Sequence, residues 1–388
     1  MRQSKRAASL VLLTAALAGC REGVDPTSGP ILPISTIGAD GCNGPDQAFA
    51  GALPIAPVAV WSSPAVAPTS RMTAAQGMEE LYLTGADGVV LKLDFSAGDP
   101  PVETEVLPAG FITSNVLALA GITDDAVISG IALTNADFLV VMEHTGNVVV
   151  SARRNPPTLA TAYGTPNADG GFVNGQLFSA LFRFDEPADL CSTGDGRIFI
   201  PDSGNNVIRE IEATSEGIFV STVAGTGEAD SVDGDPTETA FDTPAGLKLD
   251  CADQLIITER GNFGGGNRIR AVLFEDTSFS FFPFSSSTLA GDGEAQTEEG
   301  VDEDSSVAWP SGAVTTSKGD VYWVDRLTGV LRRYDFSTGL ADCPLDVDCT
   351  AAVGSTVLTP GGDFSLTISD AGDLYVLDTT AQTLYRIP

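Results

Sequence analysis

The chain contains a single histidine, His144, among its 388 residues. That scarcity excludes a multi-histidine metal centre within one chain. It also forces any Ser-His-Asp triad, or any imidazole general base, onto this one ring. Neither a Cys-x-x-Cys pair nor a Gly-x-Ser-x-Gly nucleophile elbow occurs, which removes the usual signs of a zinc ribbon and of an α/β-hydrolase. Basic residues are few: 20 Lys+Arg stand against 52 Asp+Glu, a formal charge of −32. Nucleic acid and anionic lipid headgroups are poor partners for such a surface, whereas cations, basic proteins and neutral glycans stay open. Beyond the first nineteen residues no apolar run reaches the ~18 needed to span a bilayer, and amphipathic helix patterns are almost missing.

Residues 1–19 read as a targeting signal. Arg2, Lys5 and Arg6 form a basic start, an apolar run extends from Ala7 to Leu17, and Leu17-Ala18-Gly19-Cys20 ends it. The Cys after a small pair resembles the lipobox of bacterial lipoproteins. That resemblance implies cleavage before Cys20, a diacylglycerol thioether on its sulfur and an acylated (palmitate-type) amino terminus. Each buried CH₂ would contribute roughly 0.8 kcal/mol to membrane attachment. Arg21 is not the Asp that marks inner-membrane retention in the enteric pattern, so the expected address is the outer membrane, facing the periplasm or the cell surface. Cutting after Gly19 removes three basic residues and leaves 17 Lys+Arg against 52 Asp+Glu, a charge of −35. Residues 20–50 are rich in Pro, Gly, Ser and Asp and suit a flexible, lipid-anchored tether. Export places the remaining cysteines in an oxidising compartment. Cys343 and Cys349 close a short loop and form the expected disulfide, while Cys42, Cys191 and Cys251 leave one odd thiol.

The folded body is expected over 51–388. Six copies of one pattern run through it: an apolar strand, an acidic turn, and a strand that bears Arg or Lys. They read LYLTGADGVVLKLD, FLVVMEHTGNVVVSAR, IFIPDSGNNVIREI, LIITERGNFGGGNRIRAV, VYWVDRLTGVLRRYD and LYVLDTTAQTLYRI. The turn falls at Gly85, Glu143, Asp202, Glu259, Asp325 and Asp378, at spacings of 58, 59, 57, 66 and 53 residues. A near-constant period signals a repeat architecture, because no one unit can bury its own apolar faces. Before each turn lies a short first strand, and VETEVL, TLATAYG, IFVSTVAG, FPFSSSTLAG and GSTVLT supply fourth strands. The fold class that follows is all-β: a six-bladed β-propeller of four-stranded antiparallel blades. The last unit ends on its third strand, Thr383–Ile387, and a spare strand at Pro57–Trp61 can complete that blade and close the ring.

The copies between about 160 and 335, such as GTPNADGGFVNGQLFSALFRFDEPADLCSTGDGRIFIPDSGNNVIREI, resemble the NHL repeat, with longer loops than usual. The resemblance implies a six-bladed propeller and no single function, since propellers host binding proteins, lactone hydrolases and lyases alike.

In an antiparallel blade, the loop between second and third strands and the connection to the next blade share one end. Both are acidic here. The connections include Glu228–Glu238 and Asp292–Asp304, and the turns carry Glu143, Asp202, Glu259, Asp325 and Asp378. These five are the candidate ligand-binding residues at a negatively charged channel mouth. The alternative is that they accept backbone N–H groups and fix the hairpins. Asp230, Asp233 and Asp235 offer oxygens for calcium, without full EF-hand spacing. Glu143, Asn205, Asn262 and Asp325 supply the residue types of a calcium-dependent lactonase. No catalytic residue is assigned. The Arg residues after the turns (Arg209, Arg268, Arg270, Arg332, Arg333 and Arg386) read as blade-to-blade ion pairs. The expected function is a monomeric, lipid-anchored envelope scaffold that binds a protein or glycan, with a calcium-dependent hydrolase or lyase as the alternative.

Overall fold

The computed structural model describes residues 57–387, apart from 76–78, 135–137, 194–195, 251–253, 262–265, 278–279, 317, 345–357 and 370–371. The signal, Cys20, the tether, Cys42, Cys251 and Cys349 therefore lie outside the described residues. Cys191 and Cys343 are both buried. Among the described residues no helix is long and apolar enough to cross a membrane.

Six antiparallel sheets are present. From the axis outwards, blade I comprises Met72–Ala74, Glu80–Thr84, Val90–Asp94 and Val102–Leu107. Blade II comprises Ile128–Leu133, Phe138–Glu143, Val148–Arg154 and Pro157–Tyr163. Blade III holds Cys191–Ser192, Ile198–Asp202, Val207–Thr214 and Gly217–Ala224; blade IV holds Pro244–Leu249, Gln254–Glu259, Arg268–Thr277 and Ser280–Ala290. Blade V is Val314–Thr315, Val321–Asp325, Val330–Asp335 and Leu340–Asp342. Blade VI is Phe364–Ile368, Leu374–Asp378, Thr383–Ile387 and, outermost, Val58–Ser62.

The second strands are apolar along their whole length because both of their faces are covered. Successive side chains point to opposite neighbours. Val321 and Trp323 pack toward blade IV, while Tyr322 and Val324 pack toward blade VI. Leu139 and Val141 likewise face blade I, and Val140 and Met142 face blade III. One buried cluster fills each of the six gaps between neighbouring sheets, including the gap between blade VI and blade I, where Tyr375, Leu377 and Leu384 meet Leu81, Leu83 and Leu91. The sheets therefore close a circle.

The closing ladder has the expected partners. Val58 pairs with Arg386, Ala59 with Tyr385, Trp61 with Leu384 and Ser62 with Thr383. Thr383 directly follows the second-to-third turn of blade VI, so Ser62 lies at the end of the ring that carries these turns. Val58 lies at the opposite end. The face with the turns and the blade-to-blade connections is called the upper face below; the first described strand starts at the lower one.

Two details differ from expectation. Blades III and V each gain a fifth, two-residue strand, Gly175–Gln176 and Gly300–Val301, laid along the outer edge by the long connection that leads into that blade. Such strands cover edges that would otherwise be unpaired. In blade V the fourth strand is Leu340–Asp342, not the GSTVLT segment, most of which lies outside the described residues. The cause is local. The Asp335 carboxylate accepts the amides of Ser337 and Thr338 at 2.9 and 3.2 Å, tightening the turn so that the outer strand follows at once.

At the hub the inner strands approach closely, and glycine is required. The Gly130 amide donates to the Ala188 carbonyl of blade III at 2.7 Å, and a Cβ on Gly130 would meet that oxygen. A Cβ on Gly312 would collide with the Asp189 carboxylate.

Truncating the closing ladder's core tests the ring. Leu384→Ala, at a site 1% exposed, should lower the unfolding free energy by about 2–5 kcal/mol in urea titration. Leu119→Ala, at a site 83% exposed, should change it by less than about 0.5 kcal/mol.

Candidate functional site on the upper face

The five turn acids do not line the solvent-facing mouth. Glu143, Asp202, Glu259, Asp325 and Asp378 are each 0% exposed. In blades III, IV and V the reason lies in strand register. Asp202 sits opposite Val207, Glu259 opposite Arg268, and Asp325 opposite Val330. Two residues further along the third strand, on the same face, come Arg209, Arg270 and Arg332. Their guanidiniums donate to Asp202 at 2.7 Å, Glu259 at 3.0 Å and Asp325 at 2.9 Å. All six of these side chains are fully buried. In blades II and VI the corresponding third-strand residues are Val150 and Tyr385, so the acids turn to backbone amides. Glu143 accepts from Thr145 and Gly146 at 2.8 and 2.7 Å. Asp378 accepts from Thr359, Thr380 and Ala381 at 2.7, 3.0 and 2.8 Å.

Each buried guanidinium also pins the long connection leading into its own blade. Arg209 donates to the carbonyls of Leu181 and Val173, Arg270 to those of Ala240 and Val232, and Arg332 to those of Ser306 and Glu298. Arg209 stacks over Phe182, Arg270 over Phe241 and Arg332 over Trp323, at 5.1, 5.3 and 5.6 Å. The expected blade-to-blade pairing is thus corrected for these three: each ion pair forms inside one blade. Arg333 likewise pairs with Asp342 inside blade V, and Arg268 donates to the carbonyls of Gly266 and Asp292. Arg386 does reach across, to Asp99 of blade I at 3.1 Å.

The three aspartates considered for calcium are engaged separately. Asp233 accepts from Arg270 at 2.6 Å and from the Thr288 amide at 2.8 Å. Asp235 accepts from Thr237, and Asp230 from the Ser231 amide. Among the described residues no group of three or more His, Cys, Asp or Glu side chains is disposed to hold a metal ion. Of the residue types compared with a lactonase, Asn205 donates to Gly171 and Asp202, and Asn262 lies outside the described residues.

What spans the axis instead is a balanced ionic cluster: Arg71, Arg260 and Arg326 with Glu186, Asp189 and Asp363. Arg71 donates to Asp363 at 2.8 Å and to the Pro187 carbonyl at 2.9 Å, and its Nε lies 3.5 Å from Asp189. Arg260 donates to Glu186 at 3.0 Å and to both Asp363 oxygens at 3.2 Å. Arg326 donates to the Gly362 carbonyl at 3.1 Å and lies 3.5 Å from Asp363. These residues come from five different blades. Burial alone would push Asp363 up, but Arg260, Arg71 and Arg326 outweigh it and hold its carboxyl well below the usual range. Asp189 is pushed up to about 6, chiefly by burial, with Arg71 opposing and Asp363 reinforcing the shift.

His144 closes the same end of blade II. Its Nδ1 lies 3.1 Å from the Phe184 carbonyl and its Nε2 2.6 Å from the Ser129 hydroxyl. A carbonyl can only accept, so Nδ1 carries the proton and Nε2 accepts from Ser129. Burial, assisted by Arg71 and Arg260, lowers the imidazole to about 4, so it is neutral at pH 7. Ser129 is 0% exposed and lies 3.4 Å from the Ala188 amide. This Ser-His pair staples blade II to the connection into blade III, and its hydroxyl has no open approach for a substrate.

Sequence reading missed the axial set, although a column signal was present. The residue after each turn acid is His144, Ser203, Arg260, Arg326 or Thr379, and all five bond to segments at the axial end of an inner strand.

A surface cavity of about 450 Å³ opens elsewhere on the upper face, over the outer half of blade IV. Ser231, Asp233, Arg268, Thr288, Asp292 and Glu303 supply its polar lining. It lies between the two acidic connections singled out in the sequence. Trp309, 44% exposed and with φ of 53°, is joined to it through Asn267, the chain neighbour of the lining residue Arg268. That left-handed backbone is uncommon for a bulky residue. It is held by the Asn267 side chain, which accepts from the Trp309 amide at 3.1 Å, and by the Arg326 amide, which donates to the Trp309 carbonyl at 3.2 Å.

No family model and no curated protein sequence matches the chain, so the likeness to NHL repeats rests on the repeat pattern alone. Solved structures do match. An auxiliary nutrient binding protein from Bacteroides thetaiotaomicron aligns with a TM-score of 0.53 and 11% identity, over 85% of this chain and 68% of its own. One from Bacteroides ovatus aligns at 0.52 and 13%, over 86% and 70%. A protein of unknown function from Bacteroides thetaiotaomicron aligns at 0.50 and 14% over 68% of this chain, which spans 57% of that protein's length. At such identities the likeness shows a shared fold and nothing finer.

Two variants test the axial cluster. Asp363→Asn removes the carboxylate shared by Arg71 and Arg260, leaving them Asp189 and Glu186 alone, and should cost about 3–5 kcal/mol of stability. The second test uses pH. Asp189, at about 6 when folded against 3.8 ordinarily, holds its proton more tightly in the folded state, so its contribution falls as pH rises from about 4 to 6. His144, at about 4 against 6.5, holds its proton less tightly when folded, so its contribution rises over about 4 to 6.5. The two oppose each other. Asp189→Asn should therefore make stability fall more steeply on acidification from pH 6.5 to 4, by up to about 1.4 kcal/mol per pH unit, read from thermal melts across that range.

Proposed function

We propose that this protein is a lipid-anchored cell-envelope propeller that binds a protein or glycan ligand on its upper face. The observation that carries the reading is the cavity lined by Asp233, Asp292, Glu303, Arg268, Ser231 and Thr288, formed where two acidic connections meet. A concave site with a few converging polar groups is the ordinary form of a ligand site. The hub supports it from the other direction. Arg71, Arg260 and Arg326 and their carboxylate partners neutralise one another, so the axial cluster stiffens the ring and leaves recognition to the surrounding loops. The sole imidazole is committed to Ser129 and Phe184.

In this reading Cys20 carries the acyl chains, residues 20–50 act as the tether, and the body works as a monomer at the outer membrane. The surplus of acid disfavours nucleic acid and anionic lipid as ligands. Contact with the membrane is through the anchor alone.

Fractionation and capture test both halves. The wild-type chain should sediment with membranes, and Cys20→Ser should move it to the soluble fraction. Crosslinking in intact cells should recover an envelope component, and the double variant Asp292→Asn with Glu303→Gln should reduce that yield about tenfold, a loss near 1.4 kcal/mol. Equal recovery with the double variant would remove the cavity from the reading.

A further inference from the structure

We propose that Trp309 is the stacking platform of a glycan site, and that the ligand is a neutral or amino-bearing oligosaccharide running from Trp309 into the cavity above blade IV. This inference rests on the binding function proposed above and names its ligand class.

The geometry is continuous. Trp309 shares backbone and side-chain hydrogen bonds with Arg326 on one side and Asn267 on the other. Asn267 in turn donates to the Gly293 carbonyl at 3.2 Å, and the neighbouring Arg268 donates to the Asp292 carbonyl at 3.2 Å. Arg268 and Asp292 line the cavity. One chain of contacts therefore links the exposed indole to the polar depression. Leu327, 44% exposed, follows Arg326, and its amide donates to the carbonyl of Ala308, the residue before Trp309, at 3.4 Å.

Trp309 is the outlier among three tryptophans. Trp323 is 0% exposed, its Nε1 donating to Asp325 at 2.8 Å, and Trp61 donates to Glu103 at 3.1 Å. Among the described residues Trp309 makes no side-chain hydrogen bond, and it stands exposed on a backbone conformation that most residues avoid. Thr243, at the matching place before Pro244, also has a positive φ, of 55°, but is 3% exposed. Two blades share this left-handed turn, so it is exposure that sets Trp309 apart.

The chemistry selects the ligand. The flat apolar face of an indole matches the C–H face of a pyranose ring, and its polar edge tolerates water. Carboxylates such as Glu303 and Asp292 accept hydroxyl hydrogens, and Arg268 donates to ring or glycosidic oxygens. A folded protein partner would instead call for a desolvated apolar pocket to hold its anchor residues, and the cavity lining is mainly polar, with Val232 its one large apolar residue. The charge of −32 argues against uronic or sulfated sugars.

Calorimetry on the detergent-solubilised full chain tests this with four probes: chitotetraose, its fully deacetylated amino form, cellotetraose and tetragalacturonate. At least one of the first three should bind. Trp309→Ala should raise its Kd about tenfold or more, and Trp309→Phe, which keeps a ring, should raise it less. Tetragalacturonate should bind more weakly than any sugar that binds. Trp309→Gly suits the left-handed backbone; it should lose binding while its melting temperature is kept or raised, which separates a lost contact from a lost fold. The proposal is overturned if Trp309→Ala binds as wild type, if tetragalacturonate binds best, or if no sugar binds at millimolar concentration. In that last case, binding of an oligolysine peptide that Asp292→Asn with Glu303→Gln weakens would overturn the glycan and keep the broader function. Failure of the crosslinking experiment would remove that broader function as well.

Discussion

A ring of sheets is held only if its two ends are joined, and here four paired residues on each of two strands join them. Val58–Ser62 and Thr383–Ile387 lie more than 300 positions apart in the chain, yet they form adjacent rungs of one blade. Without that ladder, blade VI would expose the edge of Thr383–Ile387, and the apolar layer between Tyr375, Leu377 and blade I would lose a wall. Every other interface is a neighbour contact of the kind found in any stacked repeat. The closing one makes the inner strands converge, and convergence is what brings Arg71, Asp189, Arg260 and Asp363 together from separate blades.

Within that frame the upper face is built by a device used three times. A carboxylate ends the second strand, an arginine two places into the third strand neutralises it, and the remaining N–H groups of that arginine hold the carbonyls of the incoming connection. Arg209, Arg270 and Arg332 each do this without exposure to water. Buried ion pairs gain little net stability against an apolar alternative, so their value here lies in fixing where long, Gly-rich, acidic loops run. Asp233 shows the link most directly: Arg270 binds it and Glu259 together, so the lining of the blade IV cavity is tied to the blade's own core.

The architecture was legible because its cause is periodic. Apolar second strands recur at a near-fixed interval, and each is covered on both faces by its neighbours, so FLVVM, LIIT and VYWV look alike. The unfinished last blade and the spare first strand gave the closure. The turn acids were visible but their surroundings were not. A carboxylate in a turn looks the same whether it faces water or an arginine, and only the register places Arg209 diagonally from Asp202. The axial cluster was harder still, since the same column holds His144, Ser203, Arg260, Arg326 and Thr379, with no shared chemistry to mark it. Trp309 precedes Pro310 as Glu186 precedes Pro187, and nothing in the letters shows that its backbone turns left-handed.

The closing strand has a second consequence, which concerns bearing rather than stability. Val58 lies at the end of blade VI away from the turns, on the outermost strand, so the described chain begins at the lower face and at the circumference of the ring. Were the protein moored through Cys20, the tether would attach to the body at the lower face. The negatively charged loops, the cavity and the exposed indole lie at the other end of the ring, away from that point of attachment.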